Sequence, residues 1–137
     1  MQKLQGYVTV RNFNGFALPV PIQNKLLRYF CSENNFIYLL PQCEMVQEDN
    51  FCYLFSTINS LKKNSNIGMC SIKMLPNDKK KFDELFNKIV DKNITCHFIF
   101  ENISANSEEL KYHYFQSNLH GQLGIRSKNI FQDIFNL

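Results

Sequence analysis

The chain has 137 residues, 45% of them apolar, with thirteen Phe and six Tyr; this is enough to fill one core of ordinary domain size and excludes a disordered chain. Fifteen basic and twelve acidic residues leave a net charge of +3, and because they are interspersed the balance gives no reason to expect a nucleic-acid or membrane partner. Cysteines at 31, 43, 52, 70 and 96 form an odd set without a C-x-x-C pair; they read as reduced thiols, and with no signal pattern or membrane-length apolar run the expected location is cytoplasmic.

Leu4 to Val10 reads as the first strand, followed by the loop "RNFNGFALPV". Pro21 to Glu33 then carries Ile22, Leu26, Tyr29 and Phe30 at i, i+4, i+7 and i+8, one apolar helical face with Pro21 in the first turn. "NFIYLL", ending at Pro41, is a second strand-length run. Phe51, Leu54, Phe55, Ile58 and Leu61 align on a second helix, with Asp49 or Asn50 as its cap. "NIGMCSIKML" reads as the third strand, and Phe82, Leu85, Phe86, Ile89 and Val90 mark a third helix starting at Asn77 or Asp78. "NITCHFIFEN" is the fourth strand. Asn106 with Glu109 three residues on predicts a capped helix through about His120, and Ile130, Phe131, Ile134 and Phe135 a short amphipathic segment suited to docking or dimerisation.

The order βαβαβαβ, built on apolar strands with little alternation, calls for a mainly parallel sheet covered by helices. The expectation is a single domain over 1–137, its core in 1–103 and a helical extension in 104–137. Right-handed crossovers make it a three-layer α/β sandwich of flavodoxin-like or resolvase-like form, with four strands in the order 2-1-3-4.

Ligands of open parallel sheets bind outside the carboxyl ends of the strands. The residues leaving the strands there are Arg11 with Asn12, Gln42 and Glu44, Ser71 and Lys73, and Glu101 with Asn102; the first helix adds Gln23 and Asn24 at its start. A cation, two carboxylates and several amides on one rim suit a phosphate or sugar, and Glu44 or Glu101 could act as acid, base or nucleophile. No His or Cys spacing supports a metal, and the first loop is neither a Walker A nor a G-x-G-x-x-G, so neither metal nor cofactor is expected. His97, inside "TCHFIFE", reads as a histidine satisfied in or beside the core.

"GYVTVRNF", "IQNKLLRYFCSENNFIYLL" and "GMCSIKMLPNDKKKFDELFNKIVDKNITCHFIFENI" together resemble the catalytic-domain layout of serine recombinases over roughly the first hundred residues. Where that family has a nucleophilic serine just after the first strand this chain has Arg11, and the family's Asp-Arg and following Arg fall at Lys73, Met74 and Asn77, so the resemblance implies the fold without strand cleavage. Through "GYV", "R-x-F-x-G", "P-x-x-x-QN", "YFC", "YLL", Glu44, the Ser71 to Pro76 loop and Glu101, nearly the whole chain also resembles a family of short bacterial proteins from sporadic carbohydrate clusters. That likeness implies a place in cell-surface polysaccharide biosynthesis. A phosphorylated sugar or nucleotide-sugar is then the expected ligand of Arg11, Asn12, Gln23, Asn24 and Ser71. The alternative is a non-catalytic oligomeric scaffold for a carbohydrate-biosynthesis enzyme, with a homodimer formed through the C-terminal helices.

Overall fold

The structure, a computed structural model, describes residues 1–13, 17–41, 43–44 and 51–123; of these, the side chains of 43–44, 107–108 and 118–123 are not described. Its centre is a five-stranded, mostly parallel sheet with the order β3-β1-β5-β6-β7, formed by β1 (Gln2–Gly6), β3 (Phe36–Leu39), β5 (Asn66–Met69), β6 (Thr95–Phe98) and β7 (Ile103–Ala105). A two-stranded sheet pairs β2 (Val8–Thr9) with β4 (Cys43–Glu44), Thr9 lying opposite Glu44. Four helices complete the described residues: α1 (Val20–Glu33), α2 (Cys52–Ser60), α3 (Lys79–Lys92) and α4 (Ser107–Leu123).

The four apolar runs do lie side by side as β3-β1-β5-β6, and the strand count is where expectation and structure part. The fifth strand, β7, runs antiparallel to β6, because the chain reverses tightly at Asn102, whose φ of 54° is in the left-handed region that Asn tolerates. It falls where the helical extension was expected to begin. The first run is also two strands rather than one. The Tyr7 amide donates to Gly68 O at 2.9 Å, after which the chain leaves the main sheet and Val8–Thr9 pairs with β4 instead. Gly6, the last residue of β1, has no room for a side chain: a Cβ there would lie 2.5 Å from the Tyr38 hydroxyl oxygen.

The third run is shorter than its apolar stretch. It stops at Met69, and Ile72–Met74 form a single 3-10 turn, because the Ser71 hydroxyl accepts the Lys73 amide at 3.1 Å and closes a local turn in competition with the strand. Two helices also differ in detail. The fully buried stripe of α1 is Gln23, Leu27 and Cys31, while Tyr29 and Ile22 face outward. A glutamine can occupy that stripe because backbone groups satisfy its amide. The N-cap of α2 is Phe51, not Asp49 or Asn50, which lie outside the described residues. The opposite end of α2 is closed from α3: the Lys92 ammonium donates to the carbonyls of Ile58, Asn59 and Leu61, a cation on the negative end of the helix dipole.

Leu4 and Leu27 meet on the α1 side of the sheet, where both approach the position of a Gly68 side chain. The main core lies on the other side and joins Ile67, Met69, Cys96 and Phe98 to Leu54 and Ile58 of α2, Phe82, Leu85 and Ile89 of α3, and Leu110 and Tyr114 of α4. The Tyr114 ring stacks on Phe82 with centroids 3.6 Å apart. Ile130, Phe131, Ile134 and Phe135 lie outside the described residues. No helix among the described residues is long and apolar enough to cross a membrane.

Candidate functional site

The carboxyl ends of β1 and β5 bring Arg11 and the turn 71–74 together. Arg11 follows β2, and its backbone is set by Thr9. The Arg11 amide donates to Thr9 Oγ1 at 3.1 Å, while Gln23 takes the place of a neighbouring strand for Thr9, accepting its N–H on Oε1 at 3.2 Å and donating Nε2–H to its carbonyl at 2.7 Å. The same amide donates to Leu18 O at 2.7 Å. Gln23 is 0% exposed, so its work in the structure is to anchor the first loop.

The Arg11 side chain turns inward and is only 9% exposed. Its Nη2 donates to the Tyr7 hydroxyl at 2.9 Å and to Met74 O at 3.3 Å, and its guanidinium carbon lies 3.9 Å from the centre of the Phe51 ring. Burying a cation demands such company: hydrogen-bond acceptors on its edge and an aromatic face against its plane. Phe51 in turn lines an open groove of about 550 Å³ between α2 and α3, together with Phe55, Ser56, Asn59, Lys81 and Glu84. The Lys81 ammonium stands 5.9 Å from the centre of the same ring. One phenyl ring of the groove lining thus meets two cations, of which Lys81 also lines the groove.

Glu101 lies at the other end of the 3-10 turn. It reaches back from the reversal between β6 and β7, and both carboxylate oxygens are engaged: Oε2 accepts the Ser71 hydroxyl at 2.7 Å and Oε1 the Ile72 amide at 2.9 Å. Burial pushes this carboxyl above its ordinary range, against the pull of those two hydrogen bonds and of the nearby Lys73 charge. Burial likewise lowers the Lys73 ammonium, with Glu101 opposing it. Lys73 Nζ donates to Ser117 O of α4 at 2.6 Å.

The expected site residues therefore fall into groups. Ser71 and Glu101 bind each other, and Arg11 joins them through the carbonyl of Met74. Gln23 serves Thr9. Asn24 accepts the Tyr38 hydroxyl at 2.6 Å, and Asn12 is exposed beside Arg11. Glu44 is placed by its backbone opposite Thr9; its side chain lies outside the described residues. The sequence places Phe51 on the apolar face of the second helix and singles out neither Tyr7 nor Lys81. Nothing in the apolar spacing of Phe51 marks its ring as the one that meets two cations.

His97 is a buried histidine with both ring nitrogens engaged, Nδ1 with the Ser104 hydroxyl at 2.7 Å and Nε2 with Asn66 Oδ1 at 3.0 Å. Burial pushes it down to about 4, and it ties β5, β6 and β7 together. Among the described residues no group of three His, Cys, Asp or Glu side chains is placed to hold a metal ion.

The backbone has clear counterparts among solved structures. The crystal structure of a resolvase family site-specific recombinase from Streptococcus pneumoniae superposes with a TM-score of 0.59 at 9% identity, covering 98% of both chains. The fold is resolvase-like. The N-terminal catalytic domain of TP901-1 integrase matches with a TM-score of 0.54 at 12% identity, covering 87% of this chain and 98% of that one. At such identities the likeness is one of fold. No family model and no curated protein matches the chain.

Proposed function

We propose that the protein binds a phosphorylated sugar or nucleotide-sugar at the carboxyl edge of its sheet, and that it serves cell-surface carbohydrate biosynthesis in the cytoplasm. The pathway rests on the sequence resemblance to short proteins of carbohydrate clusters. The observation that carries the binding reading is the pair of cations on Phe51: Arg11 on its face within hydrogen-bonding distance of Tyr7 and Met74, and Lys81 toward the groove. In this reading the two cations take the phosphate, Phe55 offers an apolar surface to a sugar or base, and Ser56, Asn59 and Glu84 meet hydroxyls. Asn12 and Asn24 flank the edge. Any proton transfer falls to Glu44, since Glu101 already gives both oxygens to the turn. Strand cleavage is no part of the reading, because Arg11 stands where the resembled recombinases carry their serine.

Thermal unfolding against a panel of nucleotide-sugars and sugar phosphates tests it. A ligand present at about 100 times its dissociation constant stabilises by about 2.7 kcal/mol, a shift of several degrees. We expect such a shift in the wild type and none in Arg11→Ala or Lys81→Ala. No response from the whole panel, or a response that survives Arg11→Ala, ends the proposal.

One observation favours a second reading, an oligomeric scaffold for a partner enzyme that assembles through its C-terminal helices. On α4, Leu110 and Tyr114 face the core while Tyr112 and Phe115 are 61% and 48% exposed. A stable complex that survives gel filtration and is lost in Phe115→Lys would support it.

A further inference from the structure

Three separate parts of the molecule hydrogen-bond to residues 71–76. Arg11, after β2, donates to Met74 O. Glu101, from the reversal before β7, accepts from Ser71 and Ile72. Lys73 donates to Ser117 O on α4, and the Tyr114 hydroxyl, also on α4, donates to Pro76 O at 2.7 Å. Tyr114 is held in turn by its stack on Phe82 of α3. The two α4 bonds thus enclose Met74, whose carbonyl receives Arg11. Within the turn itself Met74 N–H is bonded to Ser71 O at 3.0 Å and Leu75 N–H to Ile72 O at 3.1 Å, so the segment moves as one piece rather than residue by residue.

We propose that segment 71–76 couples the packing of α4 to the position of Arg11, with Lys73 and Tyr114 as positioning residues for the anion site. The proposal rests on the binding reading above for its functional meaning, but not for its geometry. Pulling α4 away removes the acceptor of Lys73 and the donor to Pro76 O, releases the turn, and takes the Met74 carbonyl from the guanidinium. Arg11 then leaves the Phe51 ring. The outward face of the same helix carries Tyr112 and Phe115, so a partner seated there would act on the anion site through this segment. Reciprocity follows: a ligand that fixes Arg11 tightens α4.

A double-mutant cycle tests the coupling without any ligand. Arg11→Met and Lys73→Met, singly and together, are unfolded in urea; Lys73 donates to α4 and Arg11 to the far end of the turn, so independent sites would give additive effects. We expect the double variant to raise the unfolding constant at least fivefold less than the product of the two single effects. Additivity overturns the proposal. Tyr114→Phe removes only a hydroxyl and keeps the ring stack, and it should speed amide hydrogen exchange at Ile72, Lys73 and Met74 at least fivefold; unchanged exchange there also overturns it. Glucose 1-phosphate is the probe for the functional consequence. Its affinity should fall at least fivefold in Lys73→Met, and unchanged affinity counts against the coupling. A non-additive cycle in a protein that does not bind glucose 1-phosphate at all would support the coupling and count against the binding reading alone.

Discussion

Two strand exits on the same edge of the sheet bury a charged side chain in different ways. At the exit of β6 the charge is Glu101, whose two oxygens are each filled by a donor from the turn it supports. At the exit of β2 the charge is Arg11, whose plane rests on an aromatic ring that also lines an open groove. A carboxylate bonded at both oxygens stabilises the chain around it and has little left to offer a ligand. A guanidinium on a groove-lining ring sits where a ligand can reach its surroundings. The candidate site therefore lies with Arg11, Phe51 and Lys81 rather than with a pair of carboxylates.

Glu101→Ala should have the greatest effect on stability. It strips the Ser71 hydroxyl and Ile72 amide of their acceptor in a buried place, and the expected loss is about 3 kcal/mol, the cost of orphaning buried donors of a charged partner. Urea unfolding followed by circular dichroism reads it. Arg11→Ala should cost less, about 2 kcal/mol from lost stacking and hydrogen bonds, while abolishing the ligand response. If Arg11→Ala proves the more damaging to stability and Glu101→Ala the more damaging to binding, the roles are reversed.

Titration sharpens the contrast further, because buried groups with opposite shifts act with opposite signs. His97 is pushed down to about 4 from an ordinary value of 6.5, so between those values the unfolded chain binds the extra proton. Its contribution is intact above pH 6.5 and is lost as the pH falls toward 4. Glu101 is shifted upward; here the folded chain holds the proton more tightly, and acidification through that range favours folding. Stability measured from pH 7 to pH 4 should therefore decline in the wild type, decline less in His97→Gln, and decline at least as steeply in Glu101→Gln. A decline that disappears in Glu101→Gln instead would assign the acid sensitivity to the wrong group.

Much of the fold was legible because it rests on periodicity. The runs of β1, β3, β5 and β6 and the apolar stripe of α3 are sustained and bounded by turn residues. What escaped the sequence turns on single contacts. "GYVTV" is one apolar run, and nothing in it marks Tyr7 as the place where an amide bond to Gly68 redirects the chain into a second sheet. "ISA" is too short to announce an antiparallel strand, and Asn102 gave only a local hint of the reversal before it. The rim is legible as a set of polar exits, and Arg11, Ser71 and Glu101 do lie together around one turn. Their division of labour is not legible, because whether a polar group meets a ligand or a peptide group depends on packing: Gln23, the residue at the start of α1 best suited by type to bind a hydroxyl, proved to be sealed against Thr9.

The smallest expected effect isolates what fixes Arg11. Tyr7 is buried, and its hydroxyl accepts Nη2 of Arg11 at 2.9 Å. Tyr7→Phe keeps the ring and its packing and removes that acceptor, a change of about 1 kcal/mol in stability. The guanidinium keeps Met74 O and the Phe51 face, so binding should weaken only a few-fold, seen as a reduced ligand-induced rise in melting temperature with the same ligand preference. An unchanged ligand response would mean that the aromatic ring and the turn alone orient the cation, placing the selectivity of the site in the coupling between Phe51 and segment 71–76. A complete loss would mean that the hydroxyl itself belongs to the binding surface, and the edge would have to be redrawn with Tyr7 beside Arg11.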